Sequence, residues 1–176
     1  MDYSGSHVLV LGAGLSGIGV AHTLAKLGAT VTLNDYKKID FDQTESQRLA
    51  ESHIEVITGQ QDFVLLDTIV VVSPGISLEI PIIQEAKKRN IPVVGEVEIA
   101  YEVSKAPILG VTGTNGKTTT TSLLAEVLKE AKWDVYVGGN IGYSLSEQAL
   151  AVPETGVLVA ELSSYQISFA LKGLSC

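Results

Sequence analysis

The stretch Leu109-Gly110-Val111-Thr112-Gly113-Thr114-Asn115-Gly116-Lys117-Thr118-Thr119-Thr120-Thr121 decides how the chain is read. Before it, Ala106 to Val111 is apolar and predicts a buried strand; after it, Leu123, Leu124, Val127, Leu128 and Ala131 recur at helical spacing and predict a helix over 117–132. The glycines fall between the two. Gly113 and Gly116 carry no Cβ and can adopt positive φ, so consecutive backbone N–H groups can converge on an anion at the helix N-terminus. Lys117 adds a mobile charge for outer phosphates, and the Thr118 hydroxyl is a hard oxygen suited to Mg²⁺. The spacing departs from G-x-x-x-x-G-K-[ST] at one place: Val111 stands where the first glycine would be, with glycines at 110 and 113 instead. The bland alternative is a Gly/Thr-rich turn before an ordinary helix, which leaves Gly-Lys-Thr after a strand without a reason.

A second glycine-rich turn lies upstream. His7 to Leu11 is apolar and β-branched and runs into Gly12-Ala13-Gly14-Leu15-Ser16-Gly17, which fits G-x-G-x-x-G. A helix from Leu15 to Leu27 should follow and end at Gly28, and a strand from Thr30 to Leu33 should close on Asn34-Asp35. Asp35, 23 positions after Gly12, stands where a dinucleotide-type βαβ unit holds a ribose hydroxyl. The alternative is a glycine turn that only packs helix on strand.

The alternation continues with a helix over 43–52, strands over 54–58 and 68–72, a helix over 78–89, a strand over 91–94 and a helical piece over 96–103. The turn Ser73-Pro74-Gly75-Ile76 falls at the carboxyl edge of the expected sheet, where open α/β sheets bind ligands. A boundary at Ser104-Lys105 gives two domains, 1–104 and 105–176. In the second, a strand over 134–137 runs into Gly138-Gly139-Asn140-Ile141-Gly142, and a strand over 156–160 ends in Glu161-Leu162-Ser163-Ser164-Tyr165-Gln166. Glu161 is either a metal-facing carboxylate at a strand tip or an acid serving only a helix N-terminus. The expected class is therefore α/β: a Rossmann-like doubly wound parallel sheet, then an incomplete P-loop NTPase-like domain.

Composition narrows the partners. The net charge of −8, with 20 acidic against 12 basic residues, argues against nucleic acid. The single cysteine, Cys176, allows no intramolecular disulfide and suits a reducing cytoplasm. No basic leader is expected at Met1, and the longest apolar stretch, Phe63 to Val72, is interrupted by Asp67 and Thr68, so no membrane span is expected. His7, His22 and His53 lack metal-ligand spacing and read as structural; Trp133 reads as packing and Lys87-Lys88-Arg89 as a solvated helix end.

Together, Gly113-Thr114-Asn115-Gly116-Lys117-Thr118, Gly139-Asn140-Ile141-Gly142 and Glu161 to Gln166 resemble the Mur ligases of peptidoglycan synthesis, and the last motif resembles the branch that adds D-glutamate. The alanine-adding relative has histidine at the position of Asn115, and later-acting relatives lack this Gly-rich first domain. The resemblance implies an ATP- and Mg²⁺-dependent amide ligase acting on UDP-N-acetylmuramoyl-L-alanine and D-glutamate through an acyl phosphate. It implies that the first domain holds the uridine diphosphate: Gly14, Leu15 and Ser16 at the pyrophosphate, Asp35 and Tyr36 near the uridine, Lys37 as counter-charge, and Ser73, Pro74 and Gly75 beside the base. Asn140, Ser163 and Gln166 would contact the muramoyl side. Gly113, Thr114, Asn115, Gly116, Lys117, Thr118 and Thr119 would hold ATP, with Lys117 and Glu161 catalytic and Thr118 and Glu161 on Mg²⁺. A cytoplasmic monomer is expected. Because such enzymes place further metal ligands and an amino-acid-binding domain downstream, the 176-residue chain is expected to bind nucleotides without ligating. The competing readings are a non-catalytic nucleotide-binding module and, from Gly12 to Gly17 alone, an NAD-dependent oxidoreductase.

Overall fold

A computed structural model of the chain describes residues 3–60 and 68–167. The start of the apolar stretch at Phe63, the cysteine at 176 and the last residues of the expected second domain lie outside them. The chain divides into two compact units at Gly95/Glu96.

The first unit runs β1 (His7–Leu11), α1 (Leu15–Lys26), β2 (Thr30–Asp35), α2 (Gln43–Glu51), β3 (Glu55–Thr58), β4 (Thr68–Val72), α3 (Pro81–Lys88) and β5 (Val93–Gly95). Its five strands are all parallel in the order β3-β2-β1-β4-β5. Chain order reverses between β1 and β4, so the loops after these two strands open on either side of the switch point. In β1, Val8, Leu9, Val10 and Leu11 are all buried, as a parallel strand covered on both faces must be. Helix α3 begins at Pro81 rather than at Leu78, because proline is favoured at the first helical position and restricts the residue before it. His22 is a buried structural histidine: its ring nitrogens meet Ser52 Oγ at 3.0 Å and Glu45 Oε1 at 2.9 Å, tying α1 to α2.

The second unit runs α4 (Glu96–Val103), β6 (Ile108–Val111), α5 (Lys117–Glu130), β7 (Val135–Gly139), α6 (Leu145–Ala151) and β8 (Val157–Glu161). Among the described residues its sheet has three parallel strands in the order β6-β8-β7. Every residue of the central strand β8 is buried. Leu158 and Ala160 join Ala100, Leu145, Ala149 and Val152 in a core shared with α4 and α6. Val157 and Val159 alternate to the opposite face, where α5 packs. This packing explains why the division falls ahead of Ser104-Lys105: α4 buries Ala100 in the second core, with Val97 and Val103 packed against it. Among the described residues no helix is long and apolar enough to cross a membrane.

The burial contrast predicts two different costs. Leu158→Ala removes a fully buried side chain from the central strand and should lower unfolding free energy by about 2–5 kcal/mol. Leu123 on α5 is 64% exposed, so Leu123→Ser should change stability by less than about 0.5 kcal/mol. Urea titration of both variants checks the pair; equal costs would mean that the assigned core is wrong.

Candidate functional site

In the first unit, the three glycines of the turn after β1 have two different physical reasons. A Cβ on Gly17 would lie 1.8 Å from the Gly12 carbonyl oxygen, and one on Gly12, whose φ is +97°, would lie 2.9 Å from Ser73 Cβ. Both positions are closed by packing. A Cβ on Gly14 would meet nothing within 4 Å, and Gly14 is the N-cap of α1. Here the missing side chain leaves open space in front of a helix N-terminus, a cradle suited to an anion. Gly14 and Leu15 are exposed and Ser16 is half-buried beside them.

Asp35 closes the same turn from the side. One carboxylate oxygen accepts from the Ala13 amide and the other from the Lys37 amide, both at 2.9 Å. The carboxylate therefore fixes the glycine turn to the segment after β2, where Tyr36 (70% exposed) and Lys37 face solvent. Across the switch point, Ser73 is buried and its hydroxyl donates to the Gly12 carbonyl at 3.1 Å, so this side chain braces the turn. Pro74 is half-buried and Gly75 exposed at the tip of a turn closed by the Ile76 amide on the Ser73 carbonyl at 3.2 Å.

In the second unit, the turn over 112–116 is exposed and leads into α5. Gly113 has φ +148° and Gly116, the N-cap, has φ +76°, so the two glycines that the sequence puts at the bends are where the backbone needs them. Lys117 Nζ donates to the Gly113 carbonyl at 2.9 Å, which holds the ammonium over the turn. Thr114, Asn115, Thr118 and Thr119 are exposed around it.

Strand register brings the rest of the expected residues together. Glu161 is the last residue of β8, and it pairs with Val111 on one side and Gly139 on the other. It therefore stands between the phosphate-loop candidate and the turn that carries Asn140. Glu161 is 4% exposed, and its Oε2 is buried with no hydrogen-bond partner among the described residues. A buried carboxylate oxygen with no donor costs free energy unless a cation or donor meets it. That observation fits a Mg²⁺ ligand better than a bare helix-terminal acid. Among the described residues no three His, Cys, Asp or Glu are grouped for a metal, so any ion here would draw on hydroxyl and phosphate oxygens beside Glu161.

Ser163 and Gln166 form one unit. Gln166 Oε1 accepts from the Ser163 amide at 2.8 Å and hydroxyl at 2.9 Å, and the Gln166 amide donates to Ser163 Oγ at 3.2 Å. The Gln166 Nε2 is left buried without a partner among the described residues. Asn140 is exposed, and its backbone amide donates to the Glu161 carbonyl at 3.1 Å. Sequence reasoning missed one participant: Glu96, buried at 2% exposure, accepts from Ser144 Oγ and the Leu145 amide, both at 2.9 Å, at the end of the Asn140 turn. Its only sequence signal was an acid in a first helical turn, which is commonplace.

Comparison with known proteins gives concordant results. Residues 6–95 match the family described as "Mur ligase MurD-like, N-terminal domain", and residues 111–173 match "Mur ligase middle domain". The UDP-N-acetylmuramoylalanine--D-glutamate ligase of Streptococcus mutans is 47% identical over 169 residues, covering 94% of this chain and 37% of that protein. That of Lactococcus lactis subsp. lactis is 46% identical over 163 residues, 91% of this chain and 36% of that protein. The chain thus spans little more than a third of the length of these curated relatives. Among solved structures, a murein peptide ligase from Psychrobacter arcticus superposes with TM-score 0.57 at 22% identity over 92% of this chain and 38% of that one. The UDP-N-acetylmuramate-alanine ligase MurC of Thermotoga maritima gives 0.52 at 23% over 90% and 37%. These two likenesses concern the fold alone.

The glycine geometry yields a paired test. Gly17→Ala must displace backbone and should cost more than about 2 kcal/mol of stability. Gly14→Ala should cost less than about 1 kcal/mol, so a loss of diphosphate binding in that variant reads ligand approach rather than folding. Thermal melts with a parallel diphosphate titration check both, and a Gly17→Ala variant as stable as the parent would contradict the packing described.

Proposed function

The chain belongs to the Mur ligase family, and we propose that it carries the UDP-substrate and ATP sites of the ligase that joins D-glutamate to UDP-N-acetylmuramoyl-L-alanine. The observation that supports this most is the register that puts the buried Glu161 oxygen, without a hydrogen-bond partner among the described residues, between the Lys117 turn and the Asn140 turn. A carboxylate substrate lying by Asn140 and a triphosphate lying by Lys117 would meet at one sheet edge.

In the whole protein the substrate carboxylate oxygen attacks the γ-phosphorus of ATP, the bond to ADP breaks, and the amine of D-glutamate then displaces phosphate from the acyl phosphate. The chain's own residues supply positioning and charge. The N–H groups at the start of α5 and the Lys117 ammonium hold the phosphates; Asn140, Ser163 and Gln166 orient the muramoyl side, with the Gln166 side-chain amide, which has no partner among the described residues, as a donor. Mg²⁺ would be held by Thr118 and Glu161 and would neutralise phosphate charge. In the first unit, Gly14, Leu15 and Ser16 take the pyrophosphate, Asp35, Tyr36 and Lys37 the uridine, and the turn over 73–75 the base. Asp35 already accepts the Ala13 and Lys37 amides, so it shapes the pocket as much as it contacts the nucleoside. These substrates place the work in the cytoplasm, and a monomer suffices for it.

Calorimetry on this chain with uridine diphosphate, Mg-ATP and NAD in parallel tests the reading. Uridine diphosphate should bind, and Asp35→Ala should weaken it. Tighter binding of NAD than of uridine diphosphate would favour the oxidoreductase instead. Lys117→Ala removes a charge-assisted phosphate contact and should weaken Mg-ATP by about 10- to 100-fold while sparing uridine diphosphate; unchanged ATP affinity would remove Lys117 from the site.

A further inference from the structure

Glu96 opens α4 directly after Gly95, the last residue of β5, and is 2% exposed. A carboxylate so deeply buried needs donors. Its Oε1 accepts from Ser144 Oγ at 2.9 Å, from the Leu145 amide at 2.9 Å and from the Ser146 amide at 3.4 Å. Ser144 and Ser146 are both 0% exposed and joined Oγ to Oγ at 2.9 Å. Ser144 is the N-cap of α6, yet its own side chain does not cap that helix. The cap comes instead from a carboxylate 48 residues away, placed where negative charge meets the first amides of a helix.

The same contact ends the turn between β7 and α6. The Gly139 amide donates to the Tyr143 carbonyl at 3.0 Å and the Tyr143 amide to the Ile141 carbonyl at 2.9 Å, so the turn closes on itself. At its entrance, the Asn140 amide donates to the Glu161 carbonyl, and a Cβ on Gly139 would lie 2.3 Å from that same oxygen. At its exit the chain passes into Ser144 and the Glu96 carboxylate. One buried acid holds each end, Glu161 through its backbone and Glu96 through its side chain. The exposed residues between them, Asn140 among them, have their backbone path set by these two anchors.

We propose that Glu96 is a positioning residue that fixes the turn over 139–143, and through it the Asn140 side chain; the second part rests on the reading of Asn140 as a substrate contact. Glu96 touches no substrate. Its role is to convert a flexible Gly-rich turn into one conformation, so that the amide of Asn140 arrives oriented.

Amide hydrogen exchange on this chain, followed by NMR, reads the positioning without any ligand. Glu96→Ala should raise exchange at Asn140 and Leu145 by about tenfold or more, the population change expected for losing a charge-assisted hydrogen bond, and leave Val157 to Ala160 protected. Glu96→Gln keeps an acceptor for the same donors and should stay within about threefold of the parent. Ser144→Ala, which removes one donor and leaves the carboxylate, should raise exchange at Asn140 by a smaller factor and decides the matter should Glu96→Ala not fold. Faster exchange at Leu145 with Asn140 unchanged, in either variant, would reduce Glu96 to a helix cap and overturn the proposal. Titration with UDP-N-acetylmuramoyl-L-alanine separates the two layers. Weakened substrate binding in Glu96→Ala, restored in Glu96→Gln and with Mg-ATP unaffected, supports both. If Asn140 exchange rises while substrate affinity is unchanged, the positioning by Glu96 stands and the assignment of Asn140 to the substrate fails.

Discussion

The parallel register of one strand governs the second unit. In β8 the side chains of Val157 to Ala160 are all buried, Leu158 and Ala160 in the core shared with α4 and α6, and the strand is paired on both sides in one register. The residue that ends it is thereby fixed in height relative to both neighbours. Because that residue is Glu161, a carboxylate is delivered to the level at which β6 turns into the Lys117 loop and β7 turns into Asn140. The energy that holds a charged group in this place comes from the aliphatic side chains behind it. Packing of that kind outweighs the desolvation of a single carboxylate, which is how a structure can keep an oxygen with no partner among the described residues at the edge of the candidate site.

The first unit reaches a comparable result by a different route. Its candidate binding edge is shaped by hydrogen bonds among the loops themselves: Asp35 to the Ala13 and Lys37 amides, and Ser73 to the Gly12 carbonyl. Polar side chains that a list of site residues would hand to the ligand are here partly engaged with the protein. The groups left pointing outward are backbone, at Gly14 and Gly75, and exposed side chains such as Leu15 and Tyr36. Recognition on such an edge depends on shape as much as on any one side chain.

What the sequence disclosed follows the range of the interactions. Both glycine turns are legible because most of their causes are local: a bend, a helix start and, at Gly17, a close approach to the Gly12 carbonyl, although the packing of Gly12 on Ser73 is not. The mutual hydrogen bonds of Ser163 and Gln166, three apart, are equally local, but the sequence reading treats both residues only as substrate contacts and does not anticipate them. Glu96 was invisible, since nothing in the neighbourhood of an acid at a helix start announces donors 48 to 50 residues away. The sequence puts the unit boundary at Ser104-Lys105 for the same reason, because only the packing of Ala100, with Val97 and Val103 beside it, reveals to which core α4 belongs. Asp35 lies between these cases. Its position at the end of β2 was read directly, and its attachment to the Ala13 amide needed the fold.

The separation in sequence between Glu96 and its donors also orders events in time. The bends at Gly113 and Gly116 close over a few residues, so the Lys117 turn can form as soon as β6 and α5 dock. The Asn140 turn takes its final shape only when a chain segment of 48 residues has been looped back onto Glu96, and loop closure of that length is entropically slow. Loop closure of that length enters the final shaping of the Asn140 turn and not the bends at Gly113 and Gly116 themselves.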